Sequence, residues 1–182
     1  MGSKVFSQYD RNEEDELPGR FFISPDFGLV FGTLTRIEFS PSLGYHITPR
    51  LIAGAGGRFE YYREKNYYTH QTEIKTNIYG FRLFSRLIVL QSIDDFIPIN
   101  IPLSIFAHAE YESLSLEERY FRIGSAGSGQ RFWLDSVLAG GGISQRSGQR
   151  TYFNIMVLWD LTNTSNSPYI NPVIKFGLQF YL

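Results

Sequence analysis

The stretch 169–182 constrains this chain more than any other. Read backwards from the terminus, Leu182, Phe180, Leu178, Phe176 and Ile174 fall on every second position, and Tyr181, Gln179, Gly177, Lys175 and Val173 alternate with them. A period of two is the signature of a β-strand with two unlike faces. A strand at a chain end frays unless it is paired, so this one predicts a closed sheet whose last strand meets its first.

Seven more stretches alternate in the same way: 21–32, 37–47, 51–63, 78–90, 103–116, 132–145 and 152–161. In the first, Phe21, Ile23, Phe27, Leu29 and Phe31 oppose Phe22, Ser24 and Asp26, and Pro25 predicts a local irregularity. The sixth is the least decided, because Gly140, Gly141 and Gly142 blur its faces and Asp135 alone assigns an interior side. The connections differ by end. At one end 48–50 and 147–150 are short turns and 91–102 is longer and apolar; at the other, 33–36, 64–77, 117–131 and 162–168 are polar. Short turns opposite polar loops are the asymmetry of bacterial outer-membrane barrels.

A length of 182 residues suits one domain. No run approaches the ~20 apolar residues of a membrane helix, so a membrane-spanning form of this chain must be a barrel. The net charge of −1 aims no field at nucleic acid, and the absence of cysteine excludes a disulfide frame, a thiol nucleophile and a thiolate metal site. Residues 1–19, with Glu13, Glu14, Asp15 and Glu16, read as a mobile polar arm on the periplasmic side. Met1-Gly2-Ser3 at its start looks like a cloning remnant on a mature protein whose export signal is gone. Residues 20–182 form the barrel.

Alternation does not say which face points inward. A soluble lipocalin-like barrel would turn the apolar face in, around a ligand. Two features favour the reverse. The apolar face carries aromatics near strand ends (Phe21, Phe31, Tyr45, Tyr61, Trp159), as interface girdles require. The other face carries charges of both signs in mid-strand, Arg86 and Glu110 among them. The fold expected is all-β: an eight-stranded antiparallel up-and-down transmembrane barrel with a charged, side-chain-filled lumen.

The run Phe27-Gly28-Leu29-Val30-Phe31-Gly32 and the run from Ser40-Pro41-Ser42-Leu43-Gly44-Tyr45 to His46-Ile47-Thr48-Pro49-Arg50-Leu51 resemble the small outer-membrane barrel proteins of Bacteroidetes, of OmpA-like architecture. So do Ala107-His108-Ala109-Glu110-Tyr111-Glu112 and Phe153-Asn154-Ile155-Met156-Val157-Leu158. The resemblance spans nearly all eight strands. It implies the bacterial outer membrane and brings no catalytic residues. The connection 91–102 is longer than the usual turn of that family.

The lumen set is Glu38, Arg58, Glu60, Arg82, Arg86, His108, Glu110 and Glu112, joined by Asp26, His46 and Lys175. Centring the turns sets Glu38 opposite Arg58, Arg58 opposite Arg82, Arg82 opposite Glu112, and Arg86 opposite His108. This is an ion-pair ladder across strands two to five, with Arg82–Glu112 and Glu38–Arg58 as its pairs. A buried charge must be paired, so the ladder reads first as filling and rigidity. Asp135 and Asp160 fall opposite each other at the external mouth if the turn at 147 is tight. They could hold a cation, but the plainer expectation is that Arg119 or Arg131 neutralises them. His46, His70 and His108 form no metal cluster, and Trp133 and Trp159 read as girdle residues.

Phe96, Ile97, Ile99 and Ile101 offer a periplasmic contact for a protein partner. The function expected is structural or interactive: an anchor or accessory subunit of a larger outer-membrane assembly. It contacts lipid, binds no nucleic acid and carries no metal or cofactor. A narrow conduit for ions or small solutes is the second reading. A lipid-modifying enzyme and a soluble binder come after it, and no Ser-His-acid constellation supports the enzyme.

Overall fold

Each strand pairs with the next in sequence, and the last returns to the first. β1 (Phe21–Val30), β2 (Leu34–His46), β3 (Leu51–Lys65), β4 (Thr72–Leu90), β5 (Leu103–Glu117), β6 (Arg131–Arg146), β7 (Thr151–Asp160) and β8 (Val173–Tyr181) close into an antiparallel barrel in that order. One helical turn, Glu118–Phe121, follows β5. The structure, a computed structural model, describes residues 19–30, 34–65, 72–93, 103–121, 129–162, 169 and 171–182. The acidic part of the arm, His70, Phe96, Ile97, Ile99 and Ile101 lie outside the described residues.

Closure can be traced through outward-facing partners. From Trp133 the register passes through Ser115, Tyr79, Phe59, Phe39, Phe27, Phe176 and Ile155 and re-enters β6 at Ile143, ten residues from its start. A stagger of that size over eight strands tilts them by about 40° and leaves a bore that side chains can fill. The expected irregularity at Pro25 does not interrupt β1, whose register with β2 runs unbroken through a facing Pro25 and Pro41.

Pairing outruns the apolar stripe at the loop end. Residues 64–65 and 72–77, expected as loop, belong to β3 and β4. Residues 34–36 belong to β2, and Glu117 pairs with Arg131. Strands β3 to β6 have 15, 19, 15 and 16 residues, against 10, 10 and 9 in β1, β7 and β8. They stand above the rest as a wall. Their tips carry polar residues on both faces, such as Lys75, Thr76 and Asn77, and Thr76 Oγ1 donates to Glu117 at 2.7 Å.

Phe22, Ile52, Phe84 and Tyr181 fill the bore at the turn end. At the loop end Ile78, Leu114, Leu116 and Leu134 cluster. A third group, Phe106, Leu138, Met156 and Leu158, lines the β5–β7 side. The large rings fit because their cross-strand partners have no side chain. Phe84 faces Gly54, where a Cβ would stand 2.2 Å from the ring, and Phe22 faces Gly44 at 2.1 Å.

Candidate functional site: the charged belt of the lumen

Between the apolar ends lies a belt of charge. Mid-strand inward positions on β8 and β1 to β5 supply Lys175, Asp26, Glu38, Arg58, Glu60, Arg82, Arg86, His108, Glu110 and Glu112, nearly all of them buried. Arg36 joins from higher on β2, with its Nε 2.9 Å from Glu60 Oε1. The polarity of 33–36 assigns it to a loop, and only its even position in a strand longer than foreseen marks it as inward.

The belt is built around two hubs. Arg58 meets Glu60, donates to Glu112 at 2.8 Å and lies 3.2 Å from Glu38. Glu112 also accepts from Lys175 at 2.9 Å. Lys175 donates in turn to Glu110. Glu110 accepts from His108 at 3.2 Å and stands 3.5 Å from Arg82. Arg82 pairs with Asp26, which is also held by Ser24 at 2.8 Å, and donates to the Ser40 carbonyl at 2.9 Å. Low local dielectric strengthens such a network when its members are satisfied and makes any orphan costly.

The ladder expected from the turns forms in part. Arg82 does face Glu112 and Arg86 does face His108 in register. Glu38, however, faces Glu60, and Arg58 faces Gly80. The Glu38–Arg58 contact forms as a diagonal. The Arg82–Glu112 pair does not form: Arg82 turns to Asp26 and Glu110, while Glu112 takes Arg58 and Lys175. Long side chains reach across a bore this narrow, so charge is matched across the lumen as well as between neighbours.

The acidic mouth is overturned. In register Asp160 faces Leu138, not Asp135. The turn is centred on Gln149, and an odd slip in register moves a residue to the other face. Asp135 therefore points outward and accepts from Ser113 at 2.6 Å. Asp160 is inward and accepts from the Thr162 N–H at 2.9 Å, while its own N–H donates to Asn171 at 2.8 Å. The arginines expected to neutralise these aspartates, Arg119 and Arg131, pair with Glu117 instead, at 3.1 and 3.5 Å.

Tyr169, like Arg36, is a residue of the site that sequence reasoning missed. The alternation counts it in the last strand, but β8 begins at Val173. Its hydroxyl contacts Arg58 and its ring lies 5.3 Å from the guanidinium carbon. It packs against both the loop-end and the β5–β7 clusters. The signal for it is weak: an aromatic just after Pro168, at a place where the alternation begins.

His46 and His108 are apart and occupied differently. His46 Nε2 is 2.9 Å from the Tyr181 hydroxyl, and His108 stacks on Phe84 at 5.6 Å. Arg86 stands over the Phe106 ring at 4.1 Å, and its Nη1 donates a long bond, 3.4 Å, to Asn154.

No family model matches the chain, and no curated protein matches it either. Among solved structures it is similar to the crystal structure of the N-terminal β-barrel domain of Pseudomonas aeruginosa OprF. The two are 10% identical with a TM-score of 0.47, over 89% of this chain and 97% of the other. A likeness at that level carries no argument about function.

Proposed function

We propose that this chain is a bacterial outer-membrane barrel, closed to solutes, that serves as an anchor or accessory subunit of a larger outer-membrane assembly. The observation that carries the reading is an inversion of the soluble pattern. Trp133 and Phe27 are 61% and 56% exposed, while Arg58 and Glu112 are 1% and 0% exposed. Large outward residues such as Phe39, Phe59, Phe81, Leu83, Trp159 and Phe176 continue that surface around the barrel. Water does not tolerate an apolar surface of that extent on a monomer, whereas hydrocarbon requires it. Among the described residues no helix is long and apolar enough to cross a membrane, so the strands are the crossing elements.

Closure is supported by the belt of ion pairs between two apolar plugs. A non-catalytic role is supported by carboxylates that are engaged with arginine and lysine rather than posed beside a nucleophile. The β3–β6 wall above the rim gives a partner a polar surface. Kinship with the small barrels of Bacteroidetes is the narrower reading and stands on the sequence motifs.

The test is electrical. Purified protein in a planar bilayer should show no steady ohmic conductance, and steady conductance would put the conduit reading first. A barrel that stays monomeric in buffer without detergent would overturn the membrane assignment.

A further inference from the structure

Arg86 differs from the other cations of the lumen. Arg58, Arg82 and Lys175 each lie within ion-pair distance of a carboxylate, whereas Arg86 has none within 4 Å among the described residues. It is 6% exposed, and beyond the Phe106 ring its contact is the long bond to Asn154. An isolated buried charge costs several kcal/mol unless something compensates it.

Arg86 also lines a small cavity with room for about one water-sized occupant. Four atoms of its wall residues make no hydrogen bond within the protein: Arg86 Nε, Arg82 Nε, His108 Nδ1 and Gln179 Nε2. The two guanidinium nitrogens are donors under all conditions and the amide nitrogen donates as oriented, whereas His108, whose Nε2–H goes to Glu110, leaves Nδ1 as an acceptor. Three of the four unused atoms are thus donors. Its two carboxylates are already engaged, Asp26 by Arg82 and Ser24, and Glu110 by Lys175, His108 and Arg82. The occupant that this wall calls for is an acceptor with negative charge.

We infer that the cavity beside Arg86 binds one small monovalent anion of chloride size. The anion accepts from the unused donors and sets a negative charge in direct contact with Arg86, which no carboxylate among the described residues touches. Such a site would make barrel stability depend on chloride, because a ligand that binds only the folded state raises its stability with concentration until the site saturates.

The test is thermal unfolding of the full chain in detergent micelles, with sodium chloride exchanged for sodium isethionate at constant ionic strength. Isethionate is too large for the cavity. The wild-type midpoint should rise with chloride and level off. Gln179→Leu removes one donor and no charge, and should raise the chloride concentration for half-effect about tenfold. Arg86→Met should lose the response. Arg119→Met, at the exposed loop end, should keep it. A wild-type midpoint that ignores chloride means that a water fills the cavity, and overturns the inference. So does an Arg86→Met response equal to wild type. If Arg86→Met fails to fold, Gln179→Leu decides: an unchanged half-effect concentration rules the site out.

Discussion

The lumen has two unlike sides. Strands β8 and β1 to β5 carry the charged belt, whereas β6 and β7 line their stretch mainly with Leu134, Leu138, Gly140, Met156 and Leu158, add the uncharged Ser136, Ser144 and Asn154, and tie their one inward acid among the described residues, Asp160, to the loop end. The charged side is held by directional pairs in which each member needs particular partners. The apolar side is held by contact and by closeness of backbone. At Gly140 a Cβ would stand 2.0 Å from the Val157 carbonyl oxygen. The difference explains how Lys175 on β8 reaches Glu110 and Glu112 on β5. It crosses in front of β6 and β7, where little else stands in its way that is charged. A filled bore need not be uniformly polar to hold charge; it needs one side that leaves the other free to pair.

Four single substitutions and one double variant would sharpen or break that contrast, all measured as unfolding free energy in urea with the barrel in micelles. Arg58→Met should have the largest effect. It strips Glu38, Glu60 and Glu112 of a shared partner and should cost about 3–5 kcal/mol. A loss below about 1 kcal/mol would mean that the belt is not coupled. On the apolar side Leu158, fully buried, should cost about 2–4 kcal/mol as Leu158→Ala. The two changes differ in how they respond to repair: a double variant Arg58→Met with Glu112→Gln should recover part of the loss, because it removes one stranded charge. No recovery would erase the distinction between the sides. Tyr169→Phe keeps the ring over Arg58 and deletes only the hydroxyl, for about 1.5 kcal/mol; a full-sized loss would show that the ring conformation depends on that bond. Lys65→Ala, at the tip of the wall, should change stability by less than about 0.5 kcal/mol. A larger effect would bring the wall into the cooperative unit.

Legibility in the sequence divides along the same line. On the charged side the mid-strand inward positions bear charges while their outward neighbours are apolar, so the period of two assigns Asp26, Arg82, Glu110 and Lys175 to the lumen, where they lie. On β6 the two faces differ little in polarity: Leu134, Ser136, Leu138 and Ser144 point in, Trp133, Asp135, Val137 and Ile143 out. Polarity then has no power to choose, and the one acid available, Asp135, points the wrong way. The partners within the belt are less legible than its membership. Centring a turn sets which backbone positions face each other, but an arginine spans the bore and takes a partner several strands away. Strand ends escape for a third reason. The apolar stripe stops where the outward face stops being apolar, while the hydrogen-bonded ladder of β3 to β6 continues into polar residues.

The place of Lys175 on the last strand bears on how the barrel is assembled. An incomplete barrel that lacks β8 would hold Glu110 and Glu112 without their ammonium group, and β1 would be an open edge. The step that pairs β8 with β1 supplies both the missing backbone partner and the missing cation. Sealing the seam and neutralising the interior therefore go together, and a half-closed barrel would bear both an open strand edge and an excess of buried negative charge.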